Sequence, residues 1–154
     1  MVYSRLKYGS IITGQTSQSN LDKIQVLQNK LLKVLSCKRY WFPTPKLHEE
    51  LSILMFEDTV KQETLSFMYN YIHGNLPKVF KNYFQHRFEL TKMITEPRKR
   101  RFILPINKFD VGKSTIQTIG AKLFNDHAQL LKLERSINTY RKDIKKKLLR
   151  QYSF

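Results

Sequence analysis

Cysteine is nearly absent from this chain. Cys37 alone, among 154 residues, excludes an internal disulfide and any CxxC zinc site, and a reducing, intracellular compartment, nuclear or cytoplasmic, is expected. Glycine and proline are scarce, at five each, which disfavours a sheet-rich fold built on many turns. No apolar run approaches the ~18 residues of a membrane span, and the opening "MVYSRLKYGS" lacks the apolar centre of a signal peptide. Acidic residues are few, 12 against 28 Lys and Arg. The aspartates are Asp22, Asp58, Asp110, Asp126 and Asp143, and no two are adjacent.

Aromatics are present in number. Ten Phe and eight Tyr within a 41% apolar composition argue for a packed chain rather than a disordered one. The charge of +16 is the most informative quantity. Self-repulsion at that charge opposes compaction unless anions are near. Nucleic acid is the first candidate partner and an anionic membrane surface the second; the reading adopted is nucleic acid and no membrane.

Periodicity predicts helices. Ser19-x-x-Asp22 resembles a capping box. Leu21, Ile24, Leu27, Gln28, Leu31, Val34 and Leu35 then follow at helical spacing, with Lys23, Lys30 and Lys33 off that stripe. This stripe is expected to pack on the helix of 56–72. The prolines of "CKRYWFPTP" end the helix, and Thr44-Pro45 reads as the next helix start, ahead of "KLHEELSIL". "FEDTVKQETLSFMYNYIHG" predicts a longer helix, with Phe56, Val60, Phe67, Met68 and Tyr71 inward and Gly74 as its stop. Pro77 opens "PKVFKNYF". Residues 85–113 are polar and basic, and "RRFIL" and "STIQTI" read as a short β-hairpin near 99–119. "AKLFNDHAQLL" is helical. Ser136 caps a last helix, "INTYRKDIKKKLLRQY", with Ile137, Tyr140, Ile144 and Leu148 on one face and Arg141, Lys142, Lys145, Lys146 and Arg150 largely off it.

Catalytic motifs fail on spacing. Gly112-Lys113-Ser114 ends like a phosphate-binding loop, but Asn107 stands where the first glycine is needed. His48-Glu49 begins like HExxH, but position 52 is Ser, so a second imidazole one turn on is missing. His73, His86 and His127 are scattered. Cys37, beside Lys38 and Arg39, reads as a small apolar residue rather than an activated thiol. No metal or cofactor is expected. The run "PRKRR" (97–101) suits phosphate contact, nuclear import or plain solvation. The basic last helix suits nucleic acid, a membrane surface, calmodulin, or solubility.

Six segments occur in a recognisable order: "YGSIITG", "LDKIQVLQNKLLKVL", "TPKLHEELSIL", "GNLPKVFKNYF", "STIQTIGAKLFN" and "SINTYRKDIKKKLLRQY". Together they resemble the C-terminal, thumb and post-thumb part of reverse transcriptases (RNA-directed DNA polymerases) of LINE-type non-long-terminal-repeat retrotransposons, closest to jockey-like and chicken-repeat-like elements. The resemblance covers nearly the whole chain. It implies that the "LQNKLLK" helix lies in a thumb that grips the template–primer through its backbone, with Lys30 and Lys33 near phosphates. Gln28 and Asn29 match the family's Gln-Asn pair, which either touches nucleic acid or holds the thumb together. Phe124-Asn125 stands where the family has Trp-Asn, and "DHAQL" replaces its Leu-Pro. A palm needs an adjacent Asp pair and a distant Asp to hold two Mg²⁺ ions; none is present here, so this segment is not expected to polymerise by itself. The family's endonuclease is likewise missing.

The expectation is a mainly α protein: a helical thumb-like bundle over 1–84 and a basic post-thumb region over 85–154. The candidate nucleic-acid contacts are Lys30, Lys33, Arg98, Lys99, Arg100, Arg101, Arg141, Lys142, Lys145 and Lys146. The partners expected are an RNA–DNA hybrid or duplex DNA, bound without sequence preference, and a separate or missing palm. The alternative is a stand-alone basic helical module for nucleic-acid or protein interaction.

Overall fold

The computed structural model describes residues 7, 9–86, 89–95, 101–106, 108, 112, 114–127 and 133–152. Among these the chain is mainly helical: α1 (Ser10–Thr13), α2 (Gln18–Leu35), α3 (Thr44–Glu50), α4 (Phe56–Ile72), a 3₁₀ turn (Lys78–Phe80), α5 (Leu90–Thr95), α6 (Ile116–His127) and α7 (Ile137–Leu149). No helix among the described residues is long and apolar enough to cross a membrane. The chain divides into two compact units, one drawn from Met1–Gln62 and Asp143–Phe154, the other from Glu63–Lys142.

The helix ends follow local chemistry. α2 starts two residues before the expected box: Ser17 is its N-cap, in extended conformation, and the Ser17 hydroxyl meets Ser19 Oγ at 3.1 Å rather than a backbone amide. Asp22 accepts from Gln18 Nε2 at 3.0 Å, so no capping box forms. α3 starts at Thr44, with Pro43 as N-cap and Pro45 in the first turn, where its missing N–H costs nothing. α2, α3 and α4 all end in the same way. Lys38, Ile53 and Asn75 donate their N–H groups to the carbonyls of Lys33, His48 and Asn70, and Cys37, Ser52 and Gly74 donate to those of Val34, Glu49 and Tyr71. This is the Schellman arrangement, whose penultimate residue is left-handed. Gly74 takes that conformation freely at φ 69°, whereas Cys37 and Ser52 take it at φ 52° and 50° against the steric preference of any side chain.

In the first unit the inward face of α2 keeps one side of the expected stripe and leaves the other in water. Gln28 and Leu32 are buried and Leu21, Ile24 and Leu31 half-buried, while Leu27 is 65% exposed, Val34 74% and Leu35 68%. The physical reason is the irregular stretch 53–55 between α3 and α4. Its backbone groups are turned inward and must be hydrogen-bonded. Gln28 Nε2 donates to Leu54 O at 2.9 Å, and Gln25 Oε1 accepts the Phe56 N–H at 2.7 Å. An unpaired buried peptide group costs about 1–3 kcal/mol, comparable to leaving one leucine in water, so two such bonds offset the exposure of Leu27 and Val34. Leu47, Leu54, Phe56, Ile144 and Leu148 fill the interior of this unit. Tyr152 Oη donates to Asp58 Oδ2 and accepts the Met55 N–H at 3.0 Å, fastening the chain after α7.

In the second unit Phe56–Ile72 contributes Leu65, Met68, Tyr69, Tyr71 and Ile72 to an interior completed by Phe84, Phe102, Ala121, Phe124, Leu133 and Tyr140. Buried positions lie on every side of α4, including Thr64 and Ser66. The hairpin expected near 99–119 does not occur among the described residues. "STIQTI" winds into α6 instead, because Ile116, Ile119, Leu123 and Phe124 recur at helical spacing. α6 approaches α4 closely at Gly120: a Cβ there would lie 3.1 Å from Met68 Sδ. "RRFIL" remains irregular, with one antiparallel bridge between His86 and Phe102. Asn125 takes the role of a partner strand. Its Oδ1 accepts the Phe102 N–H at 2.8 Å and its Nδ2 donates to Phe102 O at 2.9 Å. "PKVFKNYF" holds only the 3₁₀ turn.

The inward face of α2 sets an expected contrast. Leu32→Ala is expected to cost about 2–5 kcal/mol, and Leu27→Ala to stay within about 0.5 kcal/mol; urea denaturation of both variants checks this. The left-handed ends give a second. Ser52→Gly is expected to leave stability unchanged or raise it by up to about 1 kcal/mol, and Ser52→Val to lower it, since a β-branched residue resists positive φ.

Candidate nucleic-acid interface

From Lys23 to His48 the chain carries Lys23, Lys30, Lys33, Lys38, Arg39 and Lys46 and no acidic residue. All six belong to the first unit. Lys30 is exposed on α2. Lys33, in the last turn of α2, donates from Nζ to Tyr40 O and lies 5.3 Å from the centre of the Tyr40 ring. The left-handed turn at Cys37 carries the chain into a loop in which cations and rings alternate. Lys38 Nζ is 4.4 Å from the Phe42 ring and pairs with Glu50 at 3.0 Å; the Arg39 guanidinium is 5.2 Å from the Trp41 ring. Exposed pairs of the Lys38–Glu50 kind contribute about 0–1 kcal/mol, so this cation is only weakly neutralised. Phe42 is half-buried, whereas Tyr40 is 83% and Trp41 73% exposed. Cys37 is exposed, contrary to the expectation of a small apolar filler: the helix end places it on the turn.

Sequence reasoning placed Lys30 and Lys33 here and missed Lys38, Arg39, Tyr40 and Trp41. The available signal was the acid-free span with rings interleaved among its cations. Lys145 and Lys146 lie on the α7 portion of the same unit, half-buried and exposed respectively. In the second unit Arg101 and Lys142 are exposed. Arg141 braces its own unit, with Nε donating to Ser66 Oγ at 3.1 Å and Nη2 meeting Glu63 Oε2 at 3.3 Å. Arg98, Lys99 and Arg100 lie outside the described residues.

Gln28 and Asn29 hold the fold together with side chains turned inward. Gln25 Oε1 receives the Phe56 N–H, so Gln25 Nε2 donates to Asn29 Oδ1 at 2.8 Å. The same Asn29 oxygen faces His48 Nε2 at 3.0 Å, and His48 Nδ1 faces Ile53 O at 2.9 Å. His48 is fully buried, with the Tyr152 ring edge-on at 6.2 Å. Its two oxygen neighbours compete for the single proton of a neutral ring, and only imidazolium serves both. Burial works against that charge and pushes the His48 pKa down; the Ile53 carbonyl and the Asp58 carboxylate pull it partly back up. This histidine is a strut between α2, α3 and the 53–55 stretch. Among the described residues no three His, Cys, Asp or Glu side chains are placed to hold a metal.

Compared with protein-family models, curated proteins and solved structures, the chain matches none.

The direction of the His48 shift sets a pH dependence. With the folded pKa below the unfolded one, the unfolded chain binds the proton first. The stability that His48 contributes is then fully present above the ordinary value of about 6.5 and declines as pH falls through it toward the folded pKa. The difference in unfolding free energy between the parent and His48→Gln is therefore expected to shrink from pH 7.5 to pH 5.5. A difference that grows on acidification would mean that the two oxygens outweigh burial and hold the ring charged.

Proposed function

We propose that this chain is a thumb and post-thumb segment of a LINE-type retrotransposon reverse transcriptase, gripping template–primer nucleic acid through its backbone and not polymerising by itself. The observation that carries the reading is the acid-free span Lys23–His48, in which exposed cations flank a helix whose Gln-Asn pair is turned inward as structural support. Cations on an exposed helix face recognise phosphates without reading bases, which is what a grip on any template requires. The order of six family-like segments supports it. The chemistry of the palm, two Mg²⁺ ions on paired aspartates, has no counterpart in the residues present.

A second reading rests on a separate observation. Val26, Leu27, Val34 and Leu35 leave apolar side chains exposed on α2, with Leu27 and Val34 on one side of it. Such a surface suits a palm domain or another protein chain, with the charge then serving solubility.

Salt dependence separates the two. Lys and Arg that neutralise phosphates release counterions, so log K falls linearly with log salt, by about 0.9 per phosphate on B-DNA. Duplex DNA and an RNA–DNA hybrid are expected to bind without sequence preference at roughly 10⁻⁴–10⁻⁶ M under physiological salt. Lys30→Ala with Lys33→Ala is expected to weaken binding to every sequence alike and to lower the slope by up to about two phosphates' worth. Binding indifferent to salt would favour the protein-contact reading. No primer extension is expected with Mg²⁺ or Mn²⁺; incorporation that survives repurification and depends on an aspartate of this chain would overturn the assignment.

A further inference from the structure

We propose that the turn Cys37–Phe42 is a stacking site for unpaired bases of single-stranded nucleic acid. This deepens the nucleic-acid reading above and rests on it. Two neighbouring rings, Tyr40 and Trp41, stand almost wholly in water. Leaving an aromatic side chain exposed forgoes about 1.5–3 kcal/mol of burial. The backbone of the turn is nonetheless hydrogen-bonded without those rings. Lys38 N–H and Cys37 N–H close the end of α2 on Lys33 O and Val34 O, Phe42 N–H bonds Arg39 O at 3.0 Å, and Phe42 is half-buried. Tyr40 and Trp41 are thus held out on a defined support rather than left on a loose tail.

The chemistry around them favours an anionic, π-faced ligand. Arg39 attends Trp41 and Lys33 attends Tyr40, so each exposed ring has a cation about 5 Å from its centre. Charge complementarity points the same way: no carboxylate occurs between Lys23 and His48, and Glu50, the carboxylate placed beside Lys38, leaves Lys33 and Arg39 at the rings. Rings interleaved with cations are the surface that binds single strands: bases stack on rings whatever their identity, and phosphates meet the cations. The interior bases of a duplex cannot use the rings, because they are already stacked on both faces; only its two end pairs offer a face. A protein partner would want the rings but gains less from the surrounding positive charge. The backbone grip and the stacking site therefore take different parts of one polymer, paired and unpaired.

Trp41 is the only tryptophan, so its fluorescence reports on this turn alone. The full chain would be titrated at low salt with oligo(dT), oligo(U) and a blunt DNA duplex of equal length. Binding would be followed independently by anisotropy of labelled oligonucleotide. Saturable quenching of Trp41 by the single strands, with duplex binding that leaves its emission unchanged, is the expected result. Stronger quenching by one of the two strands identifies DNA or RNA as the preferred source of bases. Trp41→Ala is expected to weaken single-strand binding about tenfold and leave duplex binding within about twofold, with Trp41→Phe recovering most of the loss. Trp41 lies on the surface, so these variants fold. Single-strand binding with silent Trp41 emission, or equal quenching by duplex, overturns the stacking site while leaving the backbone grip intact. No binding of any of the three probes overturns both. Trp41-dependent self-association without nucleic acid, seen by sedimentation, overturns the proposal in favour of a protein contact.

Discussion

The first unit depends on a row of side-chain amides that serves backbone groups of another segment. Between α3 and α4 the chain passes through the irregular stretch 53–55, where several peptide groups have no helical partner. These groups lie inside and need partners. Gln25, Gln28, His48 and Tyr152 supply them, at Phe56 N–H, Leu54 O, Ile53 O and Met55 N–H, while Asn29 Oδ1 meets the side chains of Gln25 and His48. The bonds of Gln25, Gln28 and Asn29 to Phe56, Leu54 and His48 join residues far apart in sequence, so these amides act as cross-links between α2, α3 and the start of α4. Each is also conditional: a buried amide that loses its partner destabilises more than the bond itself contributes.

That constraint propagates outward. Once Gln25, Gln28 and Leu32 face in, helical geometry leaves Leu27 and Val34 facing out, because all of them cannot share one face of a helix. The same orientation sets the position of the last turn of α2, where Lys33 reaches the Tyr40 carbonyl and ring. The Schellman end at Cys37 then directs the chain into the alternating cations and rings of the following turn. The exposed surface of the first unit, apolar and cationic side chains together on α2 and cationic-aromatic after it, follows from an internal polar requirement.

The second unit solves a similar problem with one residue. The Phe102 backbone has an isolated antiparallel bridge to His86 rather than a strand beside it, and the two ends of the Asn125 carboxamide pair with its own N–H and C=O. The ring of Phe102 is thereby delivered to Phe84, Tyr71 and Phe124, whose centres lie 5.4, 6.0 and 5.2 Å away. Aromatic pairs at such spacings add about 0.5–1.5 kcal/mol each beyond burial. A β-like sequence is held in place without a sheet, which is why the strand-like content of "RRFIL" pointed to a hairpin that is absent among the described residues.

Helix content, the stop at Gly74, the start near Ser136, and the inward row of Tyr140, Ile144 and Leu148 were legible in the sequence, because they depend on neighbours three or four residues away. The excess of cations was legible for the same reason: charge is a sum over residues and needs no fold. Which face of α2 is buried was not, since apolar spacing and buried-amide demand point to faces that overlap only in part and only the 53–55 backbone decides between them. The left-handed ends at Cys37 and Ser52 were hidden because the paired hydrogen bonds that close each helix form there without the glycine that marks such ends in a sequence. The ring-and-cation turn was printed in the letters "KRYWF", yet its exposure depends on a helix end whose conformation no local rule assigns to cysteine. Composition by itself determined a basic, mainly helical chain; the tertiary structure alone decided which polar groups are internal supports and which remain on the surface, because the free energy of a buried hydrogen bond is set by its partner and not by its own sequence position.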